Sequence, residues 1–121
     1  MSSTSEETKK FQKELNAGTT ALVLLGVLAR ASQPMYGYQI ARLLEANAGD
    51  TPIMKQGALY PVLRSLESSG LLESEVEPSV SGPPRRYYRI TEAGRKNLET
   101  WRGIWERTKA LVDSAVRGGE Q

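Results

Sequence analysis

Arg85-Arg86-Tyr87-Tyr88-Arg89 sets three guanidinium groups and two phenols in five consecutive residues. Guanidinium forks bind phosphates and base edges, and phenols offer flat surfaces that also form hydrogen bonds. This is chemistry for holding a polyanion rather than for breaking a bond. The chain has no His and no Cys. That removes the commonest general base, the commonest metal ligand and the thiol nucleophile together. No pair of carboxylates is isolated in a pocket-like setting. The chain is therefore expected not to be an enzyme and to carry no catalytic residue, metal site or cofactor.

The basic run must be held by something. Before it stands a helix-forming stretch, Ala58-Leu59-Tyr60-Pro61-Val62-Leu63-Arg64-Ser65-Leu66-Glu67, closed by Ser69-Gly70. Leu71-Leu72-Glu73-Ser74-Glu75-Val76-Glu77 then alternates like a strand, and a Pro/Gly/Ser turn leads into the basic run. A helix feeding a charged ribbon is the arrangement of a winged helix-turn-helix: the helix enters the major groove and the ribbon follows the backbone or minor groove. The bland alternative is an α+β core with a solvated hairpin. Total charge does not choose between them, since 16 Lys and Arg against 14 Asp and Glu leave only +2. Distribution does: Arg85, Arg86 and Arg89 share one strand and Glu73, Glu75 and Glu77 the other, so part of the charge is open to cross-strand pairing.

The expected class is mainly α with a small β-hairpin, a winged helix-turn-helix plus a long C-terminal dimerisation helix. The predicted division is a flexible segment at 1–10, a DNA-binding domain at 11–91, a dimerisation helix at 92–117 and a flexible tail at 118–121. Helix one is predicted from near Phe11 or Gln12 to Arg30. Its second half, from Ala21 to Ala29, is apolar on every side and needs cover on every side. It is too short to span a bilayer, which takes about 20 apolar residues. Leu22 and Leu25 are therefore expected at a second subunit. The polar, mixed-charge start fits no secretory signal, and a cytoplasmic setting is expected. Helix two is predicted over 36–47, with Ile40, Leu43 and Leu44 inward and Tyr38 and Arg42 outward. Helix three is predicted over 57–69, with Leu59, Val62, Leu63 and Leu66 inward, Gly57, Pro61, Arg64 and Ser68 outward and Tyr60 on the flank. Pro61 is awkward there, because its missing N–H fits only a first turn. In the hairpin, Leu72, Val76, Tyr88 and Ile90 are expected to face in. Thr91 is the expected cap of the last helix. Along that helix Leu98, Trp101, Trp105, Thr108, Val112 and Ala115 step by 3, 4, 3, 4 and 3, which is a coiled-coil seam and predicts a homodimer contact.

Tyr36-Gly37-Tyr38-Gln39-Ile40, the run from Gly57 to Glu67, Gly70-Leu71-Leu72 and the run from Gly82 to Gly94 together resemble the PadR family of transcriptional regulators. The match covers about 22–94. The resemblance implies a homodimeric winged-helix repressor that answers small phenolic or otherwise lipophilic compounds. The length resembles the short subfamily, with a single C-terminal dimerisation helix. One departure stands at the start of helix three, where Lys55-Gln56 replaces the family's frequent Ser-Pro pair. A capping Ser is lost and a positive charge gained, which opposes the helix dipole but suits a phosphate.

The expected contacts to double-stranded DNA are Tyr38, Lys55, Gln56, Gly57, Ala58, Tyr60, Arg64, Arg85, Arg86 and Tyr87. Arg85, beside the wing tip, is the strongest of them. Arg89 is assigned a structural partner and Tyr88 a place in the core; Tyr38 and Tyr60 have packing as their alternative. Trp101 and Trp105 are open to two readings, plain packing in the dimer seam or the walls of a slot for a small lipophilic aromatic effector. The function expected is a ligand-responsive repressor on an inverted-repeat operator. A winged-helix module for protein contacts, without sequence-specific DNA binding, is the alternative.

Overall fold

The computed structural model describes residues 5–47 and 56–118. In chain order these form α1 (Glu6–Arg30), β1 (Met35–Tyr36), α2 (Gly37–Asn47), α3 (Gln56–Ser68), β2 (Leu72–Glu77), β3 (Arg85–Ile90) and α4 (Glu92–Arg117). The strands make one antiparallel sheet in the order β1-β3-β2.

Helix α1 starts five residues before Phe11, the earlier of the two expected starts. Ser5 caps it, its hydroxyl accepting from the Thr8 N–H at 3.1 Å, and Glu6 and Glu7 occupy the positive end of the helix dipole. Its apolar second half supplies Leu24, Leu25 and Leu28 to the core, where they meet Ile40, Leu59, Leu63, Leu66, Leu71, Leu72, Tyr88 and Ile90. Leu25 is fully buried within its own chain. That corrects the expectation that Leu25 faces a second subunit, because no surface of it is left to offer. Leu22 is half-buried and still has surface.

The hairpin is not a two-stranded ribbon. Met35 and Tyr36 pair with Tyr88 and Tyr87, adding a short third strand where the start of α2 was expected. Helix α2 therefore begins at Gly37, and the Tyr36 N–H donates to Oε1 of Gln39 at 3.0 Å, the reciprocal half of a capping box. Of the predicted inner stripe of α2, Ile40 is buried and Leu44 half-buried, but Leu43 is exposed. The helix packs on α3 and β1, which cover one narrow stripe of it.

The inner face of α3 is as predicted, with Leu59, Leu63 and Leu66 buried and Val62 half-buried. Pro61 lies inside the helix, past its first turn, so it has no N–H to give to a carbonyl one turn back. The helix ends in a Schellman turn: the Gly70 N–H donates to the Glu67 carbonyl and the Leu71 N–H to that of Leu66, both at 2.9 Å. Gly70 takes φ +81°, a conformation that glycine reaches without a Cβ penalty.

In β2, Leu72 is buried and Ser74 half-buried, but Val76 is exposed. The expected inward Val76 is on the correct side of the strand. The strand has by then run past the helices that would cover it, and Arg86 stands opposite. Thr91 caps α4 as predicted, accepting from the Gly94 N–H at 3.0 Å and donating its own hydroxyl to the Gly70 carbonyl at 2.7 Å. Leu98 and Trp101, the first two seam residues, pack against the core. Beyond them Ile104, Trp105, Leu111, Val112 and Val116 are exposed. Among the described residues no helix is long and apolar enough to cross a membrane.

Candidate nucleic-acid interface

Strand β3 carries the basic run, and register decides what each arginine does. Glu73 stands opposite Arg89, Glu75 opposite Tyr87 and Glu77 opposite Arg85. Arg89 takes the ordinary partner, with its Nε 2.8 Å from Oε2 of Glu73. Arg86 lies on the other face and donates from Nη1 to the Ser74 hydroxyl at 2.9 Å. Arg85 forms no ion pair among the described residues. Its guanidinium carbon lies 4.5 Å from the ring centroid of Tyr36, a cation–π contact.

Tyr36 belongs to a run of rings. It meets Tyr87 edge-on at 5.2 Å and stacks at 6.5 Å and 22° on Tyr38. Tyr38 in turn accepts a hydrogen bond at 2.9 Å from Nη1 of Arg42, whose guanidinium carbon lies 5.7 Å from the Tyr38 centroid. This hydrogen bond, with the nearby Glu45 carboxylate, holds the Arg42 pKa above its ordinary value, so the side chain stays charged. Tyr38 is 47 % exposed and Arg42 also faces outward. The α2 start, β1 and the tip-side half of β3 thus form one aromatic and cationic surface. Sequence reasoning named Tyr38, Arg85 and Tyr87 but missed Tyr36 and gave Arg42 no role. The repeat Tyr36-Gly37-Tyr38 carries a signal, but a helix start expected at Tyr36 hides it.

Helix α3 presents Gly57, Ala58, Pro61 and Arg64 to solvent, and Arg64 has no ion pair among the described residues. A Cβ at Gly57 would meet nothing within 4 Å, so the packing does not demand a glycine there. Tyr60 is half-buried and its ring covers Gly37, where a Cβ would collide with it. That favours the packing alternative for Tyr60. Lys55 lies outside the described residues, and Gln56 is described only as the first residue of α3. Tyr88 is buried as expected; burial first, then the Glu67 carboxylate, push its phenol up and keep it neutral.

Trp101 and Trp105 line one wall of a groove of about 450 Å³ between α4 and α1, with Ile104 and Thr108 beside them and Leu15, Gly18 and Leu22 opposite. The lining is largely apolar, with Glu14 at its edge paired to Lys10 at 3.1 Å. The expectation placed such a slot between two subunits; this groove is formed within one chain.

Residues 24–100 match the family described as Transcriptional regulator PadR-like. The chain belongs to that family. The PadR-like match covers the core, the wing and the start of α4, which makes the protein a DNA-binding transcriptional regulator rather than an enzyme. Among solved structures, a PadR family regulator from Eggerthella lenta is 32% identical with a TM-score of 0.75, over 92% of this chain and 93% of that one. A transcriptional regulator from Clostridium thermocellum is 26% identical with a TM-score of 0.75, over 84% and 96% of the two chains. In sequence, transcriptional regulator Rv3488 of Mycobacterium tuberculosis is 55% identical over 66 residues, which are 53% of this chain and 55% of that protein.

Proposed function

We propose that this PadR-like protein is a homodimeric, ligand-responsive repressor acting in the cytoplasm on an inverted-repeat operator. Residues 11–91 form the reading head, and the helix over 92–117 joins two heads and sets their spacing. Helix α3 enters the major groove with Gly57 and Ala58 close to the DNA and Arg64 at a base edge. The wing follows the flanking backbone through Arg85, with Tyr38 and Tyr87 beside it. The single observation that carries this reading is the state of the wing arginines: two of three are engaged by protein groups, and Arg85 alone keeps its charge on a neutral ring. A guanidinium without an ion pair beside the tip of a wing fits a phosphate.

The apolar face of α4 supports the dimer, since Val112 and Val116 are exposed and Trp105 keeps part of its surface open. The groove walled by Trp101 and Trp105 supports a lipophilic aromatic effector. Binding there would change the spacing of the heads and favour the arrangement that does not fit DNA. Binding to a nonspecific duplex at low salt, followed by selection from a random duplex pool, tests the reading. The expected result is salt-sensitive nonspecific binding and recovery of a two-fold repeat. No duplex binding at any salt would leave the domain as a module for protein contacts.

A further inference from the structure

Arg85 and Arg89 share a strand and a face, and each stands opposite a glutamate, yet they behave differently. Arg89 pairs with its cross-strand Glu73 at 2.8 Å, while Arg85 leaves its cross-strand Glu77 for the ring of Tyr36 at 4.5 Å. Tyr36 is opposite Tyr87 in the ladder, so it is the diagonal neighbour of Arg85 on the same face. The ring does not drift there by chance. Its backbone N–H is held by Gln39, Tyr87 meets it edge-on and Tyr38 stacks on it. A guanidinium lying on a ring keeps its N–H donors and its charge for a further partner, whereas one paired with a carboxylate has spent both.

We propose that Tyr36 is a positioning residue for DNA binding: its ring holds Arg85 away from Glu77 and leaves that guanidinium free for a backbone phosphate. The inference rests on the reading of Arg85 as a phosphate contact. Its new content is that a residue touching no DNA decides whether the contact exists. Without the ring, Arg85 falls into the cross-strand pair that Arg89 already makes.

The test uses the full chain on a nonspecific duplex, with the salt dependence of binding measured for Tyr36→Phe, Tyr36→Leu, Tyr36→Leu with Glu77→Gln, and Arg85→Ala. Phenylalanine keeps the ring face, so Tyr36→Phe should match the wild type. Tyr36→Leu should lose about 0.9 in slope, one phosphate contact, as Arg85→Ala does. Adding Glu77→Gln should restore that slope, because the competing carboxylate is gone. Failure of Glu77→Gln to restore it, or a Tyr36→Phe loss as large as that of Tyr36→Leu, overturns the proposal. A second arm needs neither DNA nor a destabilising variant. The Arg85 Nε–Hε resonance should carry a ring-current shift in the wild type and stay in place in Glu77→Gln; movement on that substitution would mean that Arg85 pairs with Glu77 and the proposal is wrong. If Arg85→Ala leaves the slope unchanged, the phosphate reading of Arg85 fails and takes the DNA role of Tyr36 with it. The resonance then still reports whether the ring holds the guanidinium.

Discussion

Ser74 on β2 donates its hydroxyl to Oε2 of Glu67 on α3 at 2.7 Å, and the Ser74 Oγ itself accepts from Nη1 of Arg86 at 2.9 Å. Helix three and the wing are therefore joined by a polar link that engages the exposed Arg86 with a protein partner. Arg85→Ala should lower affinity on all sequences and reduce the salt slope by about 0.9. Arg86→Ala should leave the slope nearly unchanged and instead cost about 0.5–1.5 kcal/mol of stability, the worth of an ordinary hydrogen bond. Binding isotherms across a salt series and urea unfolding of both variants separate the two roles. Equal slope losses would return Arg86 to the DNA-facing set.

Arg64 lies on the face of α3 opposite its buried leucines and has no ion pair among the described residues. A good bidentate base contact is worth about 1–3 kcal/mol of discrimination. Arg64→Ala should therefore lose affinity on the operator and little on a scrambled duplex. Tyr38→Phe, which removes the oxygen that Arg42 holds, should lower affinity on both. An equal loss on both duplexes would make Arg64 a phosphate contact.

The helices were legible because their inner stripes follow the helical period, as Leu59, Leu63 and Leu66 do, and their ends carry cap residues such as Gly70 and Thr91. Strand β1 was not legible. Two residues, Met35 and Tyr36, cannot show an alternation, and what makes them a strand is the distant Tyr87 and Tyr88. Val76 misled for a related reason: alternation gives the side of a strand but not where its cover ends. The cation–π support of Arg85 was equally hidden, since local charge pointed to Glu77 as its partner.

Glycine 94 sits where α4 crosses the loop after α3. A Cβ there would run into the Leu71 carbonyl oxygen, which already accepts from the Thr91 N–H at 3.1 Å, and into Ile90. Gly94→Ala should cost about 1–3 kcal/mol, the range for overpacking a tight site. Gly57→Ala, in open space on α3, should leave stability unchanged or raise it, yet weaken DNA binding if the backbone approaches the groove there. Denaturation midpoints and operator affinities of the pair give opposite orders. A stable Gly94→Ala would mean that α4 can shift outward without loss.

Trp105 and Val112 stand on the exposed side of α4, past the point where Leu98 and Trp101 meet the core. Replacing both with Glu should give monomers by sedimentation, with the far-UV spectrum of the helices retained. Operator affinity should fall steeply, because two half-sites are no longer held together. A double variant that stays dimeric would place the contact elsewhere, with Phe11 and Leu15 on α1 as the next exposed apolar pair.

Trp101 and Trp105 are the only two tryptophans of the chain, so intrinsic tryptophan fluorescence reports on α4 alone. Their groove of about 450 Å³ falls in the size range of small-molecule sites, and its walls are mainly apolar with small residues, Gly18 and Thr108, on either side. A planar aromatic compound can slide between the tryptophans and α1 and exchange water for ring contacts. Titration with lipophilic aromatics should quench the emission saturably and lower operator affinity over the same concentration range. Trp105→Ala should abolish the quenching while leaving the fold intact, since that side chain is 37% exposed and outside the core. Because coupling between two sites is reciprocal, operator DNA should weaken binding of the compound by the same factor. Quenching without any change in operator affinity would make the groove a binding site with no regulatory role. No quenching across a broad panel would leave α4 as a dimerisation device alone.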